Sequence, residues 1–211
     1  MTNFTFPFSS CEKPNKEGFV AQPYSTIVNI IGCIVTFFFL LKTKNIHSFL
    51  LLFFILCFEL FHTFSHAIHI QGNNQQLVIH ILSYFINSSL LYALYKKTEK
   101  FPDKYLIIFL LFFISLDIYS LFNLSFIYYF ITQTILFIGI LFYYLPLLSK
   151  SIQKIIYYIA LIGGLIVLLQ MNEVINCEYM IQMNPDFPYH IIIEIAGFAF
   201  FYLFCSHFYN L

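Results

Sequence analysis

The chain has 211 residues, no net formal charge, 60 % hydrophobic content and only 9 % charged residues, a balance that excludes an ordinary soluble globular domain. All ten basic residues are Lys. The planar guanidinium that recognises phosphate is therefore missing, which argues against a nucleic-acid partner. Zero net charge argues neither for nor against a preference for anionic lipid.

Taken in order, the first 22 residues carry Glu12, Lys13, Lys16 and Glu17 and no apolar core, so they read as an extramembrane segment (1–23) and not a cleaved signal peptide. About 20 apolar residues cross a bilayer core. Seven such runs follow, at 24–41, 47–69, 77–95, 105–122, 126–147, 154–170 and 189–208. Their short connections predict one domain over 1–211, an all-α seven-helix transmembrane bundle without linker or internal repeat. Lys42 and Lys44 follow the first run, Lys96, Lys97, Lys100 and Lys104 the third, and Lys150 and Lys154 the fifth. The loops after runs two, four and six hold no Lys. The positive-inside rule then predicts an amino terminus outside or in a lumen and a carboxyl terminus in the cytosol. The five cysteines form no CxxC pair. Cys11 and Cys177 fall on one side in this topology, so a single bridge between them is open to the chain.

The stretch Glu59–His80 concentrates four of the seven histidines. On a helix Glu59, His62, Ser65, His66 and His69 share one polar stripe about 120° wide, and ionisable groups inside a membrane segment default to a functional hypothesis. The topology puts His69, His80 and His190 at one outer level and His47 and His207 at the opposite, interfacial end. His62, about two turns below His69, reads as a packing residue. Ser65 and His69 are four residues apart, as are Asp186 and His190, so each pair shares a helical face. Imidazoles and a carboxylate from three helices suit zinc, with an open position for water. His69, His80, His190 and Asp186 are the expected ligands. A zinc-bound water of lowered pKa would hydrolyse an amide or ester. Two other readings stay open: a polar interhelical network and bis-histidine haem. His66, Glu194 and Glu59 are candidates for supporting the ligands from behind. Asp117 is expected to pair with a Tyr or Ser of a neighbouring helix. Asn3 and Asn123 sit in sequons that carry little weight so near a terminus or the bilayer.

Three stretches resemble alkaline ceramidases, members of a seven-span hydrolase superfamily that includes adiponectin-receptor-like proteins and a GPI-remodelling family. The first comprises Cys11-Glu12, Ala21-Gln22, Tyr24, Ser25-Thr26 and Val28-Asn29. The second is Ser65-x-x-x-His69, and the third is Glu173-x-x-x-Cys177-Glu178. The resemblance implies a zinc-dependent amidase that cleaves ceramide or a related N-acyl lipid into sphingoid base and fatty acid, with Ser65 stabilising the oxyanion. It departs from the family in two places. Asp186-x-x-x-His190 stands where the family has His-x-x-x-His, and His80 stands eleven residues beyond His69 where the family has Asp. The exchange keeps three His, one Asp and one Ser, which makes His80 and Asp186 candidate catalytic groups as well as ligands. The family also binds calcium through its amino-terminal segment. Here only Glu12 keeps a carboxylate among the matching positions and Gln22 replaces a Glu, so a weak or absent calcium site is expected. The resemblance further implies an endoplasmic-reticulum or Golgi membrane in a eukaryote and the inner membrane in a bacterium. The alternative is a non-catalytic lipid-binding receptor or scaffold of the same fold with a structural metal.

Overall fold

The computed structural model describes residues 11, 12, 15, 19–68, 73–122, 126–184 and 187–211. Among them are seven α-helices, all long and apolar enough to cross a membrane: α1 (Pro23–Lys42), α2 (Ile46–Ile68), α3 (Asn73–Thr98), α4 (Lys104–Phe122), α5 (Phe126–Tyr144), α6 (Lys150–Met183) and α7 (Ile191–Phe208). The chain is a multi-pass integral membrane protein, as its composition predicts.

Local chemistry sets the helix ends. Pro23 opens α1, where its missing N–H costs nothing. Asp103 caps α4, its Oδ1 accepting from the N–H groups of Tyr105 at 3.0 Å and Leu106 at 3.1 Å. Those bonds, the one from Leu106 first, hold this exposed carboxyl below the usual range. The sixth helix outruns the apolar run that predicts it. Instead of stopping near residue 170, α6 continues through Asn172, Glu173 and Asn176 for 34 residues, about 51 Å at 1.5 Å per residue against a core about 30 Å thick. Polar side chains end an apolar run without breaking a helix. Here the helix persists to Met183, just before Pro185.

Six helices close a ring in the spatial order α1, α2, α3, α5, α6, α7 and back to α1, while α4 lies outside against α5. Gly139 of α5 seats the Phe109 ring of α4; a Cβ there would collide with it. At the lysine-bearing end the ring is solid, filled by Leu51, Leu52 and Ile55 of α2, Leu90 and Leu94 of α3, Leu141 and Tyr144 of α5, and Phe204 and Phe208 of α7, all without solvent exposure. Lys42 folds back over the Phe38 ring, 3.9 Å from its centroid, and Lys100 over Tyr143 at 4.0 Å, as amphipathic side chains do at an interface. Towards the other end the ring encloses a cavity of about 190 Å³ to which all six helices contribute and α4 does not.

The segment before α1 covers that end. Its backbone closes the last carbonyls of α2, Ala21 N–H to Ala67 O at 2.8 Å and Gln22 N–H to His66 O at 3.1 Å. A disulfide joins Cys11 to Cys177 on the overhanging part of α6, the bridge that the topology left open.

Candidate metal centre

Helical periodicity places His62 and His66 one turn apart on α2 and His190 and Glu194 one turn apart at the start of α7. The two helices meet across the ring through these four residues. Glu194 Oε1 is their common neighbour: His190 Nε2 lies 2.7 Å away, His66 Nε2 3.1 Å and His62 Nε2 3.5 Å. His66 Nε2 and His62 Nε2 are 3.2 Å apart. His66, His190 and Glu194 are nearly inaccessible to solvent.

The protons on two of these rings are accounted for. His66 Nδ1 donates to Gln22 Oε1 at 2.6 Å, and His190 Nδ1 donates to Glu173 Oε2 at 2.8 Å. A neutral imidazole has one N–H, so Nε2 of each ring presents a lone pair to a carboxylate oxygen. Lone pairs converging on an anion need a positive charge among them, supplied by extra protons or by a metal ion. The donor atoms of His62, His66 and Glu194 lie within 4.8 Å of one another and can hold a metal ion. Zinc at 2.0–2.2 Å from N and O donors in a tetrahedron sets its ligands roughly 3.3 Å apart, close to the observed 3.1–3.5 Å among these three. Backing of the ligand imidazoles by Gln22 and Glu173 is the usual orienting arrangement for metal-bound His.

This geometry redistributes the roles read from the sequence. His190 lies beside the cluster, its Nε2 2.7 Å from Glu194 Oε1. His66 and Glu194, expected as supports, are among the converging groups, and His62, expected as packing, is with them. His69 and Asp186 lie outside the described residues. His80 is not in the cluster: its Nδ1 donates to Asp117 Oδ2 at 2.7 Å. Asp117 also accepts from Tyr84 at 2.6 Å and from Thr132 at 3.1 Å, which bears out a Tyr partner and ties α4 to α3 and α5. The Ser65 hydroxyl donates to the Phe61 carbonyl of its own helix at 2.8 Å, so it is not aimed at the centre. Glu59 lines the cavity. The two calcium candidates are engaged within the protein. The Glu12 carboxylate accepts from the Ser25 hydroxyl and, at 3.1 Å, from the Tyr24 N–H; burial nonetheless pushes this carboxyl up. Gln22 donates from Nε2 to the Glu12 carbonyl at 2.7 Å and accepts at Oε1 from His66. Positioning of His66 by Gln22, and of His190 by Glu173, was not foreseen.

The cavity reaches the centre directly. His62, His190 and Glu194 form part of its wall, and Ser83 with Tyr129, hydroxyls 2.6 Å apart, form part of the α3 and α5 wall. Phe58, Phe130, Phe137, Phe200 and Phe201 make most of the rest apolar. No family model, curated protein or solved structure matches the chain.

Proposed function

We propose that this protein is a zinc-dependent hydrolase of an amide-linked membrane lipid, of the ceramide type that the sequence motifs resemble. The observation that carries the reading is the opening of the His62–His66–Glu194 cluster, with His190 beside Glu194, into an apolar cavity within the ring of helices. Zinc fits the donor set because it takes imidazole nitrogen and carboxylate oxygen, and when bound it supplies an activated water and polarises a carbonyl. His62 and His66 would hold it, with His190, whose Nε2 lies 2.7 Å from Glu194 Oε1, as the third imidazole. Glu194, with Oε1 near all three rings, would take a proton from the attacking water and pass it to the leaving amine, with no net proton change. The Ser83 and Tyr129 hydroxyls offer hydrogen bonds from the opposite wall, a part the Ser65 hydroxyl is not placed to play. The phenyl-lined cavity accepts a hydrocarbon chain and keeps water out.

Two features support an orientation with the centre on the outer or lumenal side. The positive-inside rule favours a cytosolic lysine-bearing end, and a Cys11–Cys177 bridge suits an oxidising compartment at the opposite end.

One observation favours a second reading. If Glu194 also ligates, four protein groups close the tetrahedron, which is the mark of a structural zinc site, and the fold is a lipid receptor. Glu194→Gln separates the two. The hydrolase reading expects about one zinc per chain in the purified variant, with release of fatty acid from an N-acyl sphingoid lipid reduced at least about 100-fold. Loss of zinc in the variant, together with no turnover by the zinc-loaded parent, would overturn the hydrolase and leave the receptor.

A further inference from the structure

The zero net charge conceals a segregation of charge along the bundle. Eight of the ten lysines stand at one end: Lys42 and Lys44 where α1 turns into α2, Lys96, Lys97, Lys100 and Lys104 around the α3–α4 turn, and Lys150 and Lys154 at the start of α6. The connections at that end carry two carboxylates, Glu99 and Asp103, and Asp103 is engaged in capping α4. None of the eight lysines forms an ion pair at contact distance, since every such pair among the described residues joins a His to an Asp or Glu. Seven of them are exposed, Lys100 is half-buried, and none lines the cavity. Five lie over aromatic rings: Lys42 on Phe38 at 3.9 Å, Lys100 on Tyr143 at 4.0 Å, Lys104 on Tyr105 at 5.2 Å, Lys96 on Tyr95 at 5.6 Å and Lys154 on Tyr158 at 5.9 Å. An ammonium held against an aromatic belt stays at the height of the lipid headgroups. The α3–α4 turn, which carries half of these lysines, is fixed on the end of α5. There the Tyr144 hydroxyl donates to the Lys100 carbonyl at 3.0 Å, and the Asp103 N–H donates to the Tyr143 hydroxyl at 3.2 Å.

We infer that the lysine-bearing end is a docking surface for anionic phospholipid headgroups, centred on the α3–α4 turn. Charge complementarity selects the occupant. Lysines left unpaired by the protein are neutralised by anions from outside, and each one near a negatively charged leaflet adds about 5-fold to the attraction. The three lysine groups stand on different sectors of the helix ring, on α1 and α2, on α3 and α4, and on α6. A free phosphate meets one group at a time, whereas the headgroups of the surrounding leaflet meet all three. The positive-inside rule concerns the direction in which a chain inserts; the surface concerns which lipids gather round it afterwards. It is independent of the chemistry at the metal centre, which lies towards the opposite end of the bundle.

The chain contains no Trp, so a single introduced Trp is an unambiguous reporter. Phe101→Trp, next to Lys100, and Phe122→Trp, at the opposite end of α4, replace rings that are 72 % and 80 % exposed. Each full-length variant is reconstituted in phosphatidylcholine vesicles, and quenching of its fluorescence by brominated phosphatidylserine in both leaflets is compared with quenching by brominated phosphatidylcholine. At low salt the Phe101→Trp chain should prefer phosphatidylserine by at least about 5-fold, and the Phe122→Trp chain should show less than about 2-fold preference. At about 1 M salt, where the screening length is roughly 3 Å, the preference at residue 101 should fall below about 2-fold. Lys96→Gln, Lys97→Gln, Lys100→Gln and Lys104→Gln together should abolish it at low salt; the salt dependence needs no lysine variant and decides alone if that chain fails to fold. Equal quenching by the two lipids at residue 101 would overturn the docking surface, as would a preference that resists salt or survives loss of the four lysines. An equal preference at residue 122 would detach the attraction from the lysine-bearing end and overturn it too. Loss of the preference on adding inorganic phosphate at constant ionic strength would make free phosphate the occupant, which also overturns it.

Discussion

Among the described residues the bundle contains two histidine–carboxylate assemblies, and they are built on opposite principles. In the α3–α4–α5 assembly one carboxylate, Asp117, is surrounded by donors from His80, Tyr84 and Thr132. Its lone pairs are met, as in a polar clamp between helices. In the α2–α7 assembly the donors point away from the centre: His66 gives its Nδ1 proton to Gln22 and His190 gives its own to Glu173. What remains is a convergence of acceptors around Glu194. The same residue types make a clamp when protons point inward and a cation site when protons are drawn outward.

That contrast can be broken most sharply by removing imidazoles. The double variant His66→Ala, His190→Ala should lose zinc at least about 100-fold in affinity by metal analysis, whereas His80→Ala should keep it within about 3-fold. Retention of zinc by the first or its loss from the second would erase the distinction. Next in size is acidity. Ligand imidazoles must be deprotonated, so protons compete with metal. Zinc affinity should drop at least about 10-fold per pH unit below the imidazole range near 6.5, and an affinity flat from about pH 7 to pH 5 would point away from histidine ligation. The orienting partners come third: Gln22→Leu and Glu173→Leu should each weaken zinc by about 10–100-fold. The smallest effect concerns the clamp. Asp117→Asn should lower stability by about 1–3 kcal/mol, read from detergent unfolding, with zinc stoichiometry unchanged; a metal-free Asp117→Asn protein would show the two assemblies to be one.

Much of the fold was legible because bilayer thickness imposes a length on apolar runs, so all seven spans could be read directly from Phe, Ile and Leu. The overrun of α6 was not legible, because Asn172 and Glu173 interrupt hydrophobicity without interrupting hydrogen bonding along the backbone. At the site, the i, i+4 pairs His62/His66 and His190/Glu194 were present in the sequence beside Ser65/His69 and Asp186/His190. Periodicity alone does not choose between registers. That choice depends on the height at which α2 meets α7, a tertiary quantity set by side-chain packing. Among the described residues, the spacings His62 to His66 and His190 to Glu194 bring three imidazoles to the Glu194 carboxylate, and a search for paired i, i+4 motifs on different helices would have raised them. Gln22 could not be found that way, since it acts from outside any repeating pattern.

The Cys11–Cys177 bridge spans a sequence separation of 166 residues, and that interval has a meaning in time. Cys11 leaves the ribosome before any of the helices, yet its partner is made only after five of them have been synthesised and the sixth is nearly complete. Gln22, eleven residues from Cys11, comes under the same tether. The amino-terminal segment is therefore pinned over the end of α2 as a late event of biogenesis. Maturation of the His66 environment would then be gated by oxidative folding, since Gln22 meets the His66 ring.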